Sequence, residues 1–154
     1  MGNGYGFKCK RCNREYEVLL GCGKRFSEEY QQTIEEVKRF KYGVKWRNLV
    51  KNRKNINIDV EYDLYQCECG YWKVKRNLSI FEPIDETNIT TSEEYPLVTR
   101  WERKEGKYRL VAENKHKCRR CRKPMHVIKE EDIDKLPCPR CGELNESETF
   151  IRWD

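Results

Sequence analysis

Eight of the nine cysteines in this 154-residue chain come in close pairs: Cys9-Lys-Arg-Cys12, Cys67-Glu-Cys69, Cys118-Arg-Arg-Cys121 and Cys138-Pro-Arg-Cys141. Two thiolates held a residue or two apart on a tight turn can both face one metal ion at about 2.3 Å. Sixteen residues separate the last two pairs, giving C-x2-C-x16-C-x2-C, a spacing that suits a four-cysteine zinc site. Pro139 stiffens its second turn, and Gly142 permits a left-handed backbone that aims N–H groups at sulfur. Read by proximity, Cys118, Cys121, Cys138 and Cys141 form one site. Cys9 and Cys12 then close with Cys67 and Cys69 across 54 intervening residues. Each set of four would hold one Zn²⁺ with no position open to water, a structural rather than hydrolytic arrangement.

The remaining candidates carry less chemistry. Nine is odd, so disulfides alone would strand a thiol. The opening MGNGYGFKCKRC has no apolar h-region and no N-myristoylation pattern. A reducing, cytoplasmic setting is therefore expected, where clustered cysteines bind metal more often than they pair. Asn77, Asn88 and Asn145 begin glycosylation sequons that such a setting would leave unused. Cys22, flanked by glycines, reads as a small buried thiol, because no base stands near it in sequence. His116 and His126 flank a knuckle whose four ligands are already cysteines, so neither is needed as a ligand. With two histidines and no Ser/His/Asp or Cys/His set, the chain reads as a binding protein and not an enzyme.

Residues 116–153, HKCRRC…KLPCPRCG…FIRW, resemble a zinc ribbon of the rubredoxin-like kind, in which two knuckles each lead into a strand. That resemblance also implies iron as a minor alternative, although zinc binds such a site more strongly than ferrous iron. GFKCKRCNREYEVLL, about residues 7–20, is similar to the start of FmdB-type regulatory proteins, which bring a second C-x2-C soon afterwards. Here the returning pair is distant and is C-x-C.

Elements must bring these turns together. Phe26, Tyr30, Ile34, Val37 and Phe40 recur at helical spacing behind a candidate cap at Ser27, and a shorter helix through Trp46, Leu49 and Val50 follows. Ile56 to Leu64 alternates strictly, as does Trp72 to Ile80 with an interruption at Arg76, so the Cys67–Cys69 turn joins two strands in a hairpin. Strands are expected at 97–103, 107–114, 125–128 and 150–153. The segment 82–96, EPIDETNITTSEEYP, has no basic residue and reads as an acidic linker. The fold class expected is a small α+β, zinc-stabilised protein of two ribbon-like antiparallel β units. Residues 1–81 would form the first, with a helical insertion over about 26–54, and 97–154 the second.

Charge lies in blocks. Residues 1–54 carry 14 basic against 6 acidic residues and 100–129 carry 12 against 3, within a net +6. Each four-thiolate zinc site is itself charged about −2, which brings the loaded chain near +2, so any argument from charge rests on local clusters. Lys10 and Arg11 lie near Tyr5 and Phe7. Lys45, Arg47, Lys51, Arg53 and Lys54 lie near Phe40, Tyr42 and Trp46, and Arg119, Arg120, Arg122 and Lys123 decorate a knuckle. Cations of this kind contact phosphate, and exposed rings stack bases. The expected partner is nucleic acid or a nucleic-acid-associated protein. The alternatives are a protein adaptor or inhibitor of mobile-element type, and a rubredoxin-like redox protein. No apolar stretch is long enough to suggest a membrane span.

Overall fold

The structure, a computed structural model, describes residues 2–85 and 97–153. Residues 86–96 of the expected linker lie outside the described residues. The chain divides into two units, and neither is a continuous segment. Unit 1 comprises Met1–Lys24, Glu61–Arg76 and Lys115–Asp154, and unit 2 comprises Arg25–Val60 and Asn77–Asn114. This replaces the division at 1–81 and 97–154 with an interleaved one.

Unit 1 is built from β1 (Gly2–Lys8), β2 (Glu15–Leu20), β4 (Tyr62–Gln66), β5 (Trp72–Arg76), β8 (His126–Val127), β9 (Lys135–Pro137) and β10 (Leu144–Trp153). They form a four-stranded sheet in the order β2-β1-β10-β9 and a three-stranded sheet in the order β5-β4-β8. All of the pairings are antiparallel. Sequence patterning does not reveal β1, because Gly2, Gly4 and Gly6 leave one of its faces without side chains. The cross-strand neighbours close over that face. A Cβ at Gly4 would stand 2.7 Å from Ile151 Cγ1 and 2.9 Å from Leu19 Cδ2, too close for any real contact. On the other face Phe7 and Val18 join Leu64, Ile133 and Leu136 in a buried core, with Tyr16 and Trp72 packed against it. The Trp72 Nε1–H donates to the Pro137 carbonyl at 2.7 Å.

Unit 2 holds the described α-helices. α1 (Phe26–Lys38) buries Tyr30, Thr33, Ile34 and Val37, the stripe expected of an amphipathic helix. Ser27 falls inside its first turn, and Arg25 occupies the cap position without a side-chain cap bond. Phe40 and Gly43, both left-handed, turn the chain into α2 (Val44–Asn52), which buries Trp46 and Val50. The long strand expected over 56–64 divides into β3 (Asn57–Ile58) in unit 2 and β4 in unit 1. The division has a cause. Every residue from Ile56 to Val60 is buried, so the polar positions of the alternation do not face water. The Arg103 guanidinium donates to Asn57 and to the Val98 carbonyl and pairs with Asp59 at 2.8 Å; Arg100 pairs with Asp59 at 2.7 Å.

The second long strand also divides. β6 (Ile80–Pro83) follows β5 after a left-handed Leu78 and pairs with β3 and β7 (Tyr108–Ala112). Glu82 and Pro83 thus belong to a sheet and not to a linker. Residues 97–103 are not a strand. Thr99 and Glu102 form a reciprocal capping box that opens the short helix α3 (Arg100–Glu102), a T-x-x-E signal legible at the sequence level. None of the described helices is long and apolar enough to cross a membrane.

Candidate metal centres

All four cysteine turns share one local design. In the first, the Cys9 N–H donates to the Arg14 carbonyl and the Asn13 N–H returns to the Cys9 carbonyl, both at 2.9 Å. The Cys118 and Cys138 turns repeat this with Lys123 and Arg122, and with Glu143 and Gly142. The Cys67 turn is one residue shorter: the Gly70 N–H reaches the Cys67 carbonyl at 2.9 Å and the Cys67 N–H reaches the Tyr71 carbonyl at 2.8 Å. The residue after the second cysteine is left-handed in every case: Asn13, Gly70, Arg122 and Gly142, with φ between 55° and 83°. That reversal closes the turn, and at Arg122 a residue with a Cβ bears the strain.

The turns combine differently from the sequential expectation. Cys9 and Cys12 meet Cys138 and Cys141, and Cys67 and Cys69 meet Cys118 and Cys121, with the donor atoms of each set within 4.8 Å of one another. The outer pairs close on each other, and so do the inner pairs. Both sets lie in unit 1, so the expected plan of one ribbon site per unit is replaced by one unit carrying two sites. Strand pairing is the reason. β1 runs into the first turn and β10 runs out of the fourth. Their antiparallel register sets Phe7 opposite Ser147, beside both turns. Likewise β4 enters the second turn and β8 follows the third, with Gln66 opposite His126. A ladder fixes neighbours within about 5 Å across strands, whereas a sequence gap fixes none.

The geometry suits a tetrahedral ion. The Cys9–Cys141 and Cys12–Cys138 sulfurs stand 3.5 and 3.7 Å apart, and the Cys67–Cys121 and Cys69–Cys118 sulfurs 3.4 and 3.6 Å apart. Four sulfurs about 2.3 Å from one ion would be spaced about 3.8 Å apart. All nine cysteines are free thiols. The first cysteine of each turn is buried; Cys12 and Cys141 are half-buried, and Cys69 and Cys121 are exposed.

The thiols within a set do not ionise alike. Burial opposes the Cys9 thiolate, but the N–H groups of Cys12 and Arg11 outweigh it and hold its pKa near 6. Burial likewise opposes Cys118, which the Cys121 and Arg120 N–H groups hold near 6. The Cys69 N–H favours the Cys67 thiolate, yet burial and the neighbouring thiols push that group up to about 12. The Glu143 N–H favours Cys141, and burial with its neighbours still raises it to about 11. Sulfurs this close resist joint ionisation, so four thiolates in one set require a cation among them. The donor set therefore fits a structural metal ion in each cluster.

Around the sites, the third residue of three turns is an arginine, at Arg11, Arg120 and Arg140. The backbone N–H of each bonds to the first cysteine's sulfur, as Arg120 does to Cys118 at 3.4 Å. Arg140 was not among the candidates named from sequence, though the repeated C-x-R-C was there to find it. A second residue beyond reach of motif reading is Asn145. Its side chain is buried, accepts from the Lys10 N–H at 3.0 Å and donates to the Glu143 carbonyl at 2.7 Å, tying the first and fourth turns together. His116 donates Nε2–H to the Arg76 carbonyl at 3.0 Å and packs edge-on to Tyr65; burial lowers its pKa. His126 is exposed. Cys22 is buried between left-handed Gly21 and Gly23.

The cationic candidates fall in both units. Lys10, Arg11, Arg119, Arg120, Arg122 and Lys123 are exposed on the turns of unit 1. Lys123 pairs with Glu68 at 3.3 Å, and Arg120 lies 5.3 Å from the Tyr71 ring. In unit 2, Arg53 pairs with Glu82, Arg47 lies 4.3 Å from the Phe40 ring, and Lys45 lies 5.4 Å from the Trp46 ring. Lys51 and Lys54 are exposed. No family model matches the chain, and no curated protein or solved structure matches it either.

Proposed function

We propose that the protein is a non-enzymatic zinc-ribbon-type module of the reducing cytoplasm, with two structural Zn²⁺ ions, that binds nucleic acid or a nucleic-acid complex in a regulatory role. One observation carries the reading. Among the described residues Lys10, Arg11, Arg119, Arg122 and Arg140 have no carboxylate partner, although they sit on turns closed by paired backbone hydrogen bonds. Cations kept unpaired on rigid turns are available to phosphate. Zinc is preferred to iron because thiolate sites bind it more strongly than ferrous iron. The FmdB-type likeness of residues 7–20 supports a regulatory role only for that stretch, since the second ligand pair of this site comes from the far end of the chain.

Fluorescence anisotropy with labelled oligonucleotides tests the reading. Five phosphate contacts on a single strand predict about a hundredfold loss of affinity when salt rises fourfold. Changing Arg11, Arg119 and Arg122 to Glu should abolish binding. Changing Lys51, Arg53 and Lys54 to Glu measures how much unit 2 contributes. Absent or salt-independent binding refutes the proposal. Elemental analysis should find two zinc ions per chain in a colourless preparation. The adaptor alternative draws on the exposed Phe150 and Ile151 of β10; it predicts that one defined protein is captured even after nuclease treatment.

A further inference from the structure

Unit 1 contains a groove of about 370 Å³ between its two metal centres. One wall carries Cys69 and Arg120 from one centre, the other carries Cys138, Cys141 and Arg140 from the other, and Tyr71 and Pro139 also line it. We propose that this groove takes one unpaired nucleotide of a single-stranded nucleic acid, with its phosphate between Arg120 and Arg140 and its base on the Tyr71–Arg120 stack. The inference rests on the nucleic-acid reading above and adds the site and the strandedness.

Four features select this ligand. The two guanidinium groups come from turns whose backbones are held by their own sulfur contacts, and neither has a carboxylate partner among the described residues. Planar guanidinium groups suit phosphate oxygens. Tyr71 is half-buried against the core of its own metal centre, so the ring is fixed in place while Arg120 lies over it at 5.3 Å. Unpaired bases stack on such rings and guanidinium planes. The volume is at the small end of ligand sites, about 300–1,000 Å³, the scale of a single nucleotide. The described part of unit 1 also contains no α-helix to enter a major groove. An acidic peptide could engage the arginines but would gain nothing from the ring.

The metal-loaded full chain should be titrated with a labelled oligouridylate, its deoxy counterpart, a blunt duplex and a polyglutamate peptide. Both single strands should bind more tightly than the duplex, and polyglutamate should compete weakly. Tyr71→Leu should weaken single-strand binding about tenfold or more, and Arg140→Ala should weaken it about as much at low salt. Tyr71→Phe, which keeps the ring, should bind as the parent does; it guards against a folding defect, and the metal content of every variant should stay at two ions. If the parent binds no oligonucleotide, the nucleic-acid reading and this inference fail together. If single strand and duplex bind equally and neither Tyr71→Leu nor Arg140→Ala changes affinity, nucleic acid binds elsewhere and the groove assignment is overturned. Polyglutamate that displaces the oligonucleotide at equal charge concentration also overturns it.

Discussion

Asn145 shows how a single buried side chain can join two ends of a chain. Its oxygen and nitrogen satisfy groups on both the first and the fourth cysteine turns. Asn145→Ala should therefore cost about 1 kcal/mol of stability, because the part-buried Lys10 N–H and Glu143 carbonyl lose their partner; urea unfolding of the metal-loaded protein measures this. Arg122 is strained in the opposite sense. With φ at 62° it occupies a conformation suited to glycine, so Arg122→Gly should stabilise the fold by about 1 kcal/mol while weakening nucleic-acid binding. An Arg122→Gly protein that is both less stable and fully able to bind would contradict both roles. Tyr30 gives a pH signature. Burial outweighs its hydrogen bonds and the nearby Arg103 charge, raising the phenol to about 12 from the usual 10. A raised pKa means the neutral form is favoured in the fold. Its contribution is therefore complete below pH 10 and lost as pH climbs towards 12. Tyr30→Phe should remove that part of the alkaline unfolding followed by circular dichroism.

At the scale of elements, the pairing of turns is the property most open to test. Cys9→Ser with Cys141→Ser alters one centre, and metal analysis should show one metal ion lost per chain. Cys9→Ser with Cys69→Ser alters both centres and should lose two. The sequential pairing of Cys9 and Cys12 with Cys67 and Cys69 predicts the reverse, so the two double variants discriminate between the arrangements. Much of the secondary structure that frames these turns was visible in advance. The apolar stripe of α1, the β4–β5 hairpin around Cys67 and Cys69, and the strand ending at Trp153 follow from periodicity. The unanticipated elements share a physical cause. β1 hides its pattern in three glycines. The 56–60 stretch has both faces buried, and its polar residues are satisfied by arginines more than 40 positions away.

For the whole molecule, the interleaved units predict unequal dependence on metal. Both cysteine sets belong to unit 1, and a structural metal ion held by four thiolates would contribute on the order of 10 kcal/mol to folding at each site. Unit 2 has its own buried residues, among them Tyr30, Ile34, Val50, Ile58 and Ile80, and all three α-helices of the described residues. A strong chelator should abolish hydrogen-exchange protection in β1, β4 and β10 while α1 and α2 keep theirs and the helical circular dichroism persists. Loss of both together would mean that unit 2 cannot hold its fold without the metal-bearing unit.

The cysteine residues, their turn design and their capacity to hold a metal ion were legible in the sequence alone, because a ligand turn spans only four to six residues and its chemistry is local. The same is true of the amphipathic helices and of the clusters of basic residues. Which turn meets which was decided only by tertiary structure. Antiparallel pairing of β1 with β10 and of β4 with β8 sets the neighbours of each thiolate. The positions so joined lie far apart in the chain. No local pattern records a contact whose free energy comes from ladders and cores assembled across the entire length of the protein.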